Sequence, residues 1–193
     1  MIVSEVHSAG SGNGTYAADW FEVTNTGTAD VDIAGWKMDD DSNSFAVSVG
    51  LRGVTSLPAG KSAVFLQGQN DGSTDATIIA NFSNAWFGVT PPPPGVLIGA
   101  YGNIGLGTGG DAVNLFDAVG NRITGVSFGA ATATATFDNT LALPVIGVIS
   151  AAGFNGAVTS FNGQEVGSPG TRAVPALTSI DLSRYYRVGR FNL

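Results

Sequence analysis

Short apolar runs alternate with polar residues along most of this chain, and glycine, proline and asparagine separate them. Ile2–Val6 (IVSEV) reads as a strand, followed by a Gly/Ser loop, and Asp19–Asn25 (DWFEVTN) is a second strand that turns at TGTAD. In Val31–Met38, Val31 and Ile33 share one face and Asp32 takes the other. Phe45–Val49 (FAVSV) alternates and predicts a strand, and Pro58–Gly60 predicts a turn feeding a strand at Ala63–Leu66. QGQNDGSTDA reads as a polar turn cluster, and Pro91–Pro94 as a polyproline run barred from a central strand. GVLIGAYG then offers a brief strand, and Asp111–Gly129 predicts the clearest hairpin, turning at AVGN. Ala131–Phe137 (ATATATF) fits an edge strand or a surface loop. No segment holds a 3.6-residue period between capping signals, so little helix is expected. Many short strands with Gly- and Pro-rich turns predict an all-β sandwich or barrel.

Composition narrows the function classes. The chain has 193 residues, 44% hydrophobic and only 12% charged, with 28 glycines. That is enough apolar material for a core, with Ser, Thr and Asn carrying solubility. A net charge of −7 with dispersed cations argues against a hold on nucleic-acid phosphates. There is no cysteine, hence no disulfide frame and no thiolate metal site. The most apolar later stretch, Leu141–Phe154, is broken by Pro144 and glycines and is too short to span a bilayer. No membrane insertion is expected. A monomer is expected, at an extracellular or cell-surface location with any leader removed.

An ordered set of motifs adds to this reading. SEV, DWFEVTNTG, VDIAGWKMDD, LPAGKSAVFL and GDAVNLFDAVGNRITGVSFG follow one another, with GSPG at Gly167–Gly170 as a closing element. The set resembles the lamin tail domain as it occurs in bacterial proteins. The resemblance is strongest over residues 2–129 and implies one immunoglobulin-like antiparallel β-sandwich over residues 1–170, with long loops and no catalytic centre. It further implies an accessory module of secreted or surface-attached proteins, with residues 171–193 as a linker. The final DLSRYYRVGRFNL resembles the lead-in of phytase-like or esterase-like β-propeller proteins.

Candidate sites are few. Trp20 and Trp36 lie in strand patterns where an indole packs the middle of a two-sheet core. Glu22, Asn25 and Gly35 belong to the same structural motifs. Trp86, beside Phe87 and just before the polyproline run, has loop-like surroundings, and this pair is the candidate exposed aromatic platform. Glu5 and Glu22 are expected to accept hydrogen bonds from loop amides and hydroxyls, tying strands to turns; the alternative is an acid–base or metal-binding pair. Asp39, Asp40 and Asp41 form the densest acidic run. A solvated turn is expected there, with calcium as the alternative, since the spacing lacks the alternation of an EF-hand loop. Apart from that alternative, no cofactor is expected. His7, the single histidine, is expected at the surface.

The expected function is therefore a non-catalytic binding or docking module, with a protein, a polysaccharide or its own neighbouring domain as partner. The alternative is an accessory N-terminal domain of a secreted phosphoester hydrolase whose catalysis lies beyond this chain.

Overall fold

The computed structural model describes residues 1–8 and 15–172. Its strands are β1 (Ile2–His7), β2 (Trp20–Thr24), β3 (Val31–Asp32), β4 (Lys37–Asp39), β5 (Val49–Gly50), β6 (Ser56–Leu57) and β7 (Ser62–Gln67). After helix α1 (Asp75–Phe87) come β8 (Leu97–Tyr101), β9 (Asp111–Phe116), β10 (Arg122–Phe128), β11 (Phe137–Asp138), β12 (Val145–Ile146), β13 (Val158–Thr159) and β14 (Val166–Gly167). One five-stranded sheet runs β11-β1-β2-β7-β8, the other β12-β10-β9-β4-β5; β3-β6 and β13-β14 form small ribbons.

Strand alternation builds the layer between the two sheets. Val3, Val6, Phe21, Val23 and Phe65 from the first sheet meet Met38, Val113, Leu115, Val126 and Phe128 from the second. Trp36, 7% exposed, belongs to this core. Replacing it with alanine is expected to cost about 3–5 kcal/mol, because a large ring leaves an unfilled cavity. Equilibrium denaturation checks this, and a loss within about 0.5 kcal/mol, as at an ordinary surface site, would contradict it.

Trp20 is buried too, but not between the sheets. Its side chain lies on the outer face of the first sheet with Val64, Leu66 and Ile98, under a second apolar cluster supplied by Tyr16, Phe82, Ala85 and Trp86. The cover for that face is α1, the one helix among the described residues, which agrees with the expectation of little helix but falls where loop-like surroundings were expected. Ile78, Ile79, Phe82, Ala85 and Trp86 follow a helical spacing and pack in or against this cluster. Asp75 opens the helix, and Gly88 closes it at φ +70°, its N–H donating to Asn84 O. The helix links β7 to β8, which pair in parallel, and so forms a crossover unit. The β10–β12 pair is parallel as well.

Phe45–Val49 differs from its expected strand. Only Val49 joins β5. The Asp39 carboxylate accepts from the Ser44 N–H and the Ser42 hydroxyl, both at 2.6 Å, and Ser48 N donates to Ser44 O, so the chain closes a helical turn instead. Phe45 packs edge-on to Phe116 under the Lys37 ammonium, while Val47 is exposed.

The chain also stitches the flanks of the sandwich. Just after β5, Arg52 exchanges both backbone hydrogen bonds with Ala100 of β8 in the opposite sheet. Just after β12, Ile149 pairs with Phe137 of β11. On the first flank the Arg52 guanidinium grips Asp75 with two bonds, of 2.7 and 2.9 Å, fixing the start of α1.

Candidate functional site

The polar residues that the fold buries are concentrated on the outer face of the first sheet, beside the patch covered by α1. In the register of β1 on β2, Glu5 lies opposite Glu22 and His7 opposite Trp20, with a shift in pairing between Val3 and Glu5. Both glutamates and His7 are buried. A chain of hydroxyls runs alongside: Thr24 donates to Ser4 and shares a bond with Ser62, and Ser4 donates to Glu22 Oε1 at 2.6 Å.

The cover for this row comes from the far end of the described chain. Glu5 Oε1 accepts from the Thr136 hydroxyl and from Ser168 N at 2.8 Å, and Oε2 accepts from the Ser168 hydroxyl at 3.1 Å. Glu22 Oε2 accepts from Gly170 N at 2.7 Å. The GSPG element thus supplies amide donors to two carboxylates that no water reaches. Gly167 is needed for clearance: a Cβ there would stand 2.6 Å from Glu5 Oε1. Burial dominates the electrostatics. It lifts Glu5 to about 7 against the opposing pull of its hydrogen bonds, and lifts Glu22 to about 8 with help from the neighbouring Glu5 charge. Both carboxyls therefore favour a proton under conditions where an exposed glutamate has lost it.

A second acidic anchor enters from the same segment. Glu165 is buried, and both its oxygens accept from the Tyr16 hydroxyl, at 2.7 and 2.6 Å. Trp20 Nε1 in turn donates to that hydroxyl at 3.2 Å. His7 lies parallel to the Trp20 ring, centroids 5.9 Å apart. Its Nε2 is 3.3 Å from Glu165 Oε1, yet neither ring nitrogen makes a hydrogen bond. Proximity to a carboxylate would favour the imidazolium, but desolvation wins and depresses His7 to about 4, so it is neutral near pH 7. This corrects the expectation of a surface histidine: His7 is only 1% exposed. The neutral ring acts as a flat packing element against Trp20.

The other sequence candidates fall elsewhere. Trp86 is 4% exposed and meets Trp20 edge-on at 5.9 Å, so it is no exposed platform. The reason is that its loop-like context is the last turn of α1, whose apolar side faces the sheet. Phe87 is partly buried against the same cluster. Asp39 is buried, its Oδ2 accepting from the Ser42–Ser44 turn and its Oδ1 without a hydrogen-bond partner; Asp40 Oδ1 accepts from Ser42 N; and Asp41 N donates to Asp111 Oδ1. Among the described residues, no group of three or more acidic or histidine side chains is arranged to hold a metal ion. Asn25 is buried and donates to Ala29 O and Leu57 O, while its backbone N–H donates to Lys61 O and its carbonyl accepts from Gly60 N of the LPAG turn. Gly35 turns at φ +74°, a conformation that a side chain disfavours.

The residues that sequence reasoning missed are His7, Tyr16, Thr136, Glu165 and Ser168. The GSPG motif was the one usable signal, and it does not say which acids it covers.

Several exposed aliphatics of the described surface fall within residues 141–148. Leu141, Val145 and Val148 are 63%, 62% and 49% exposed, with Leu143 beside them at 46%. Leu141, Leu143 and Val148 line a common recess with Ile146, Thr140 and Asp138. It lies on the segment that stitches the second flank.

In comparison with known proteins, the family model described as Lamin Tail Domain matches residues 1–130. No curated protein matches the chain.

Proposed function

We propose, from the premise that this chain belongs to the lamin tail domain family, that it is a non-catalytic docking module which presents a protein-binding face on an immunoglobulin-like β-sandwich. The observation that carries this reading is the contrast between the two polar and apolar clusters just described. Glu5, Glu22, His7, Tyr16 and Glu165, the side chains with the chemistry for acid–base work, are buried and hold the chain's own closing segment. Of the exposed apolar side chains, Leu141, Leu143, Val145 and Val148 give an aliphatic face, and Phe154 and Phe161 are exposed aromatics. Leucine and valine side chains suit the apolar surface of another polypeptide better than the hydroxyl-rich faces of sugar rings, which favour aromatic platforms. Carriage by a secreted or surface-attached protein is what the resemblance to bacterial lamin tail domains implies.

The test takes the full 193-residue chain. It is expected to show no turnover of p-nitrophenyl phosphate or bis-p-nitrophenyl phosphate above buffer, and no retention on a glycan array. Turnover by the purified chain would move the reading to hydrolysis, and a retained glycan would move it to polysaccharide binding.

A further inference from the structure

We infer that the aliphatic face around Leu141, Leu143, Val145 and Val148 is the docking site of the chain's own C-terminal segment, residues 173–193. The inference rests on the reading of that face as a protein-binding surface and names its occupant.

Three observations lead there. The first is where the described chain ends. Arg172, its last residue, donates its guanidinium to Thr140 O, and Thr140 lines the same recess as Leu141, Leu143 and Val148. The chain therefore leaves the sandwich at the rim of the face. A segment of 21 residues can extend to roughly 70 Å, so reach does not limit its return.

The second is charge. Fourteen of the fifteen acidic residues and five of the eight basic ones lie at or before Arg172, whereas the segment beyond it carries Arg184, Arg187 and Arg190 against Asp181 alone. A cationic segment is thus tethered to a strongly acidic body. One carboxylate of that body, Asp138, lines the recess, where its oxygens accept from Thr140 and from Asn155 Nδ2.

The third is apolar content. Tyr185, Tyr186, Val188 and Phe191 are interleaved with the three arginines, giving the segment side chains suited to an aliphatic surface and cations suited to the acidic body that carries it. Attachment at the rim makes the encounter intramolecular. An effective concentration on the order of millimolar lets a contact of modest intrinsic strength stay occupied.

Hydrogen exchange read by mass spectrometry on the full chain tests this. Amides in 173–193 are expected to exchange at least about ten-fold more slowly than unstructured amides. Both the Leu141→Lys/Val145→Lys variant and the Arg184→Glu/Arg187→Glu/Arg190→Glu variant are expected to return them to the unstructured rate. Leu141 and Val145 are exposed, so an unchanged thermal midpoint will separate loss of docking from loss of fold. Exchange of 173–193 at the unstructured rate in the unaltered chain overturns the inference. So does protection insensitive to both variants, or protection that grows with protein concentration, which would assign the face to a second copy. None of these results produces turnover or glycan binding, so failure here is distinct from failure of the docking reading itself.

Discussion

A fragment ending at residue 130, the span that the family model matches, is expected not to fold. Phe137 and Ile146, contributed from beyond that point, complete the core against Val3, Val6, Val126 and Phe128. Burying side chains of this size contributes about 1.5–3 kcal/mol each. The fragment would also uncover β1 and β10, which lose β11 and β12 as neighbours, and would strip the amide donors from Glu5 and Glu22. Summed, these losses approach or exceed the roughly 5–15 kcal/mol by which such domains are stable. Circular dichroism should show no cooperative melt for 1–130 and a single one for 1–193. A milder version of the same experiment is Gly167→Ala. The added methyl would meet Glu5 Oε1 and, at 2.9 Å, Thr136 Cγ2. That substitution is expected to cost about 1–3 kcal/mol. A fragment that melts cooperatively at the midpoint of the whole chain would show that residues 131–172 are an appendage and not part of the sandwich.

The second large effect is a loss of stability as pH rises. Glu5 and Glu22 keep a proton in the folded state up to about 7 and about 8, whereas unfolded glutamates release it near 4.5. Folded molecules hold more protons over that window, so the free energy of unfolding falls as pH rises through it. His7 works the other way between about 4 and 6.5, because its depressed affinity leaves the unfolded chain with the extra proton. Two carboxyls against one imidazole leave a net fall between about 4.5 and 6.5 and a steeper one just above, where His7 no longer opposes. One proton's difference is worth about 1.4 kcal/mol per pH unit, so the total from pH 5 to pH 8 is on the order of several kcal/mol. The thermal midpoint is expected to drop by about 10 °C over that range. Glu22→Gln, which cannot ionise, should flatten the profile above pH 6.5. A midpoint constant or rising between pH 5 and 8 would mean that the pair is ionised and stabilised by its donors after all.

How much of this was readable in advance depends on how far apart in the chain the partners lie. The 111–128 hairpin was legible because its alternation and AVGN turn are local, and β9 and β10 pair there. Asn25 directly follows β2 and the LPAG turn directly precedes β7, its neighbour in the sheet, and both were legible as motifs. Helix α1 was not, since serine, asparagine and threonine dilute its apolar stripe and its first turn follows a run of turn residues. That miss carried Trp86 with it. Phe45–Val49 alternates like a strand, but capping by Asp39 decides its shape. The buried acid row was half visible. Glu5 and Glu22 stood out, yet Glu165 meets Tyr16 across 149 residues, and no local pattern announces such a pairing. His7 looked solvent-facing for the same reason. The segment 171–193, read as a linker, lies outside the described residues beyond Arg172.

The stitched flanks limit what kind of partner the described body can accept. Strand addition needs a stretch of free backbone donors and acceptors along a sheet's side. Here the positions next to β8 and β11 are claimed in part by Arg52 and Ile149 of the same molecule. An extended peptide seeking to lengthen that first sheet would first have to displace them. At the first sheet, recognition should therefore fall to side chains and loops, and neighbouring copies gain no free template for growth along its sides.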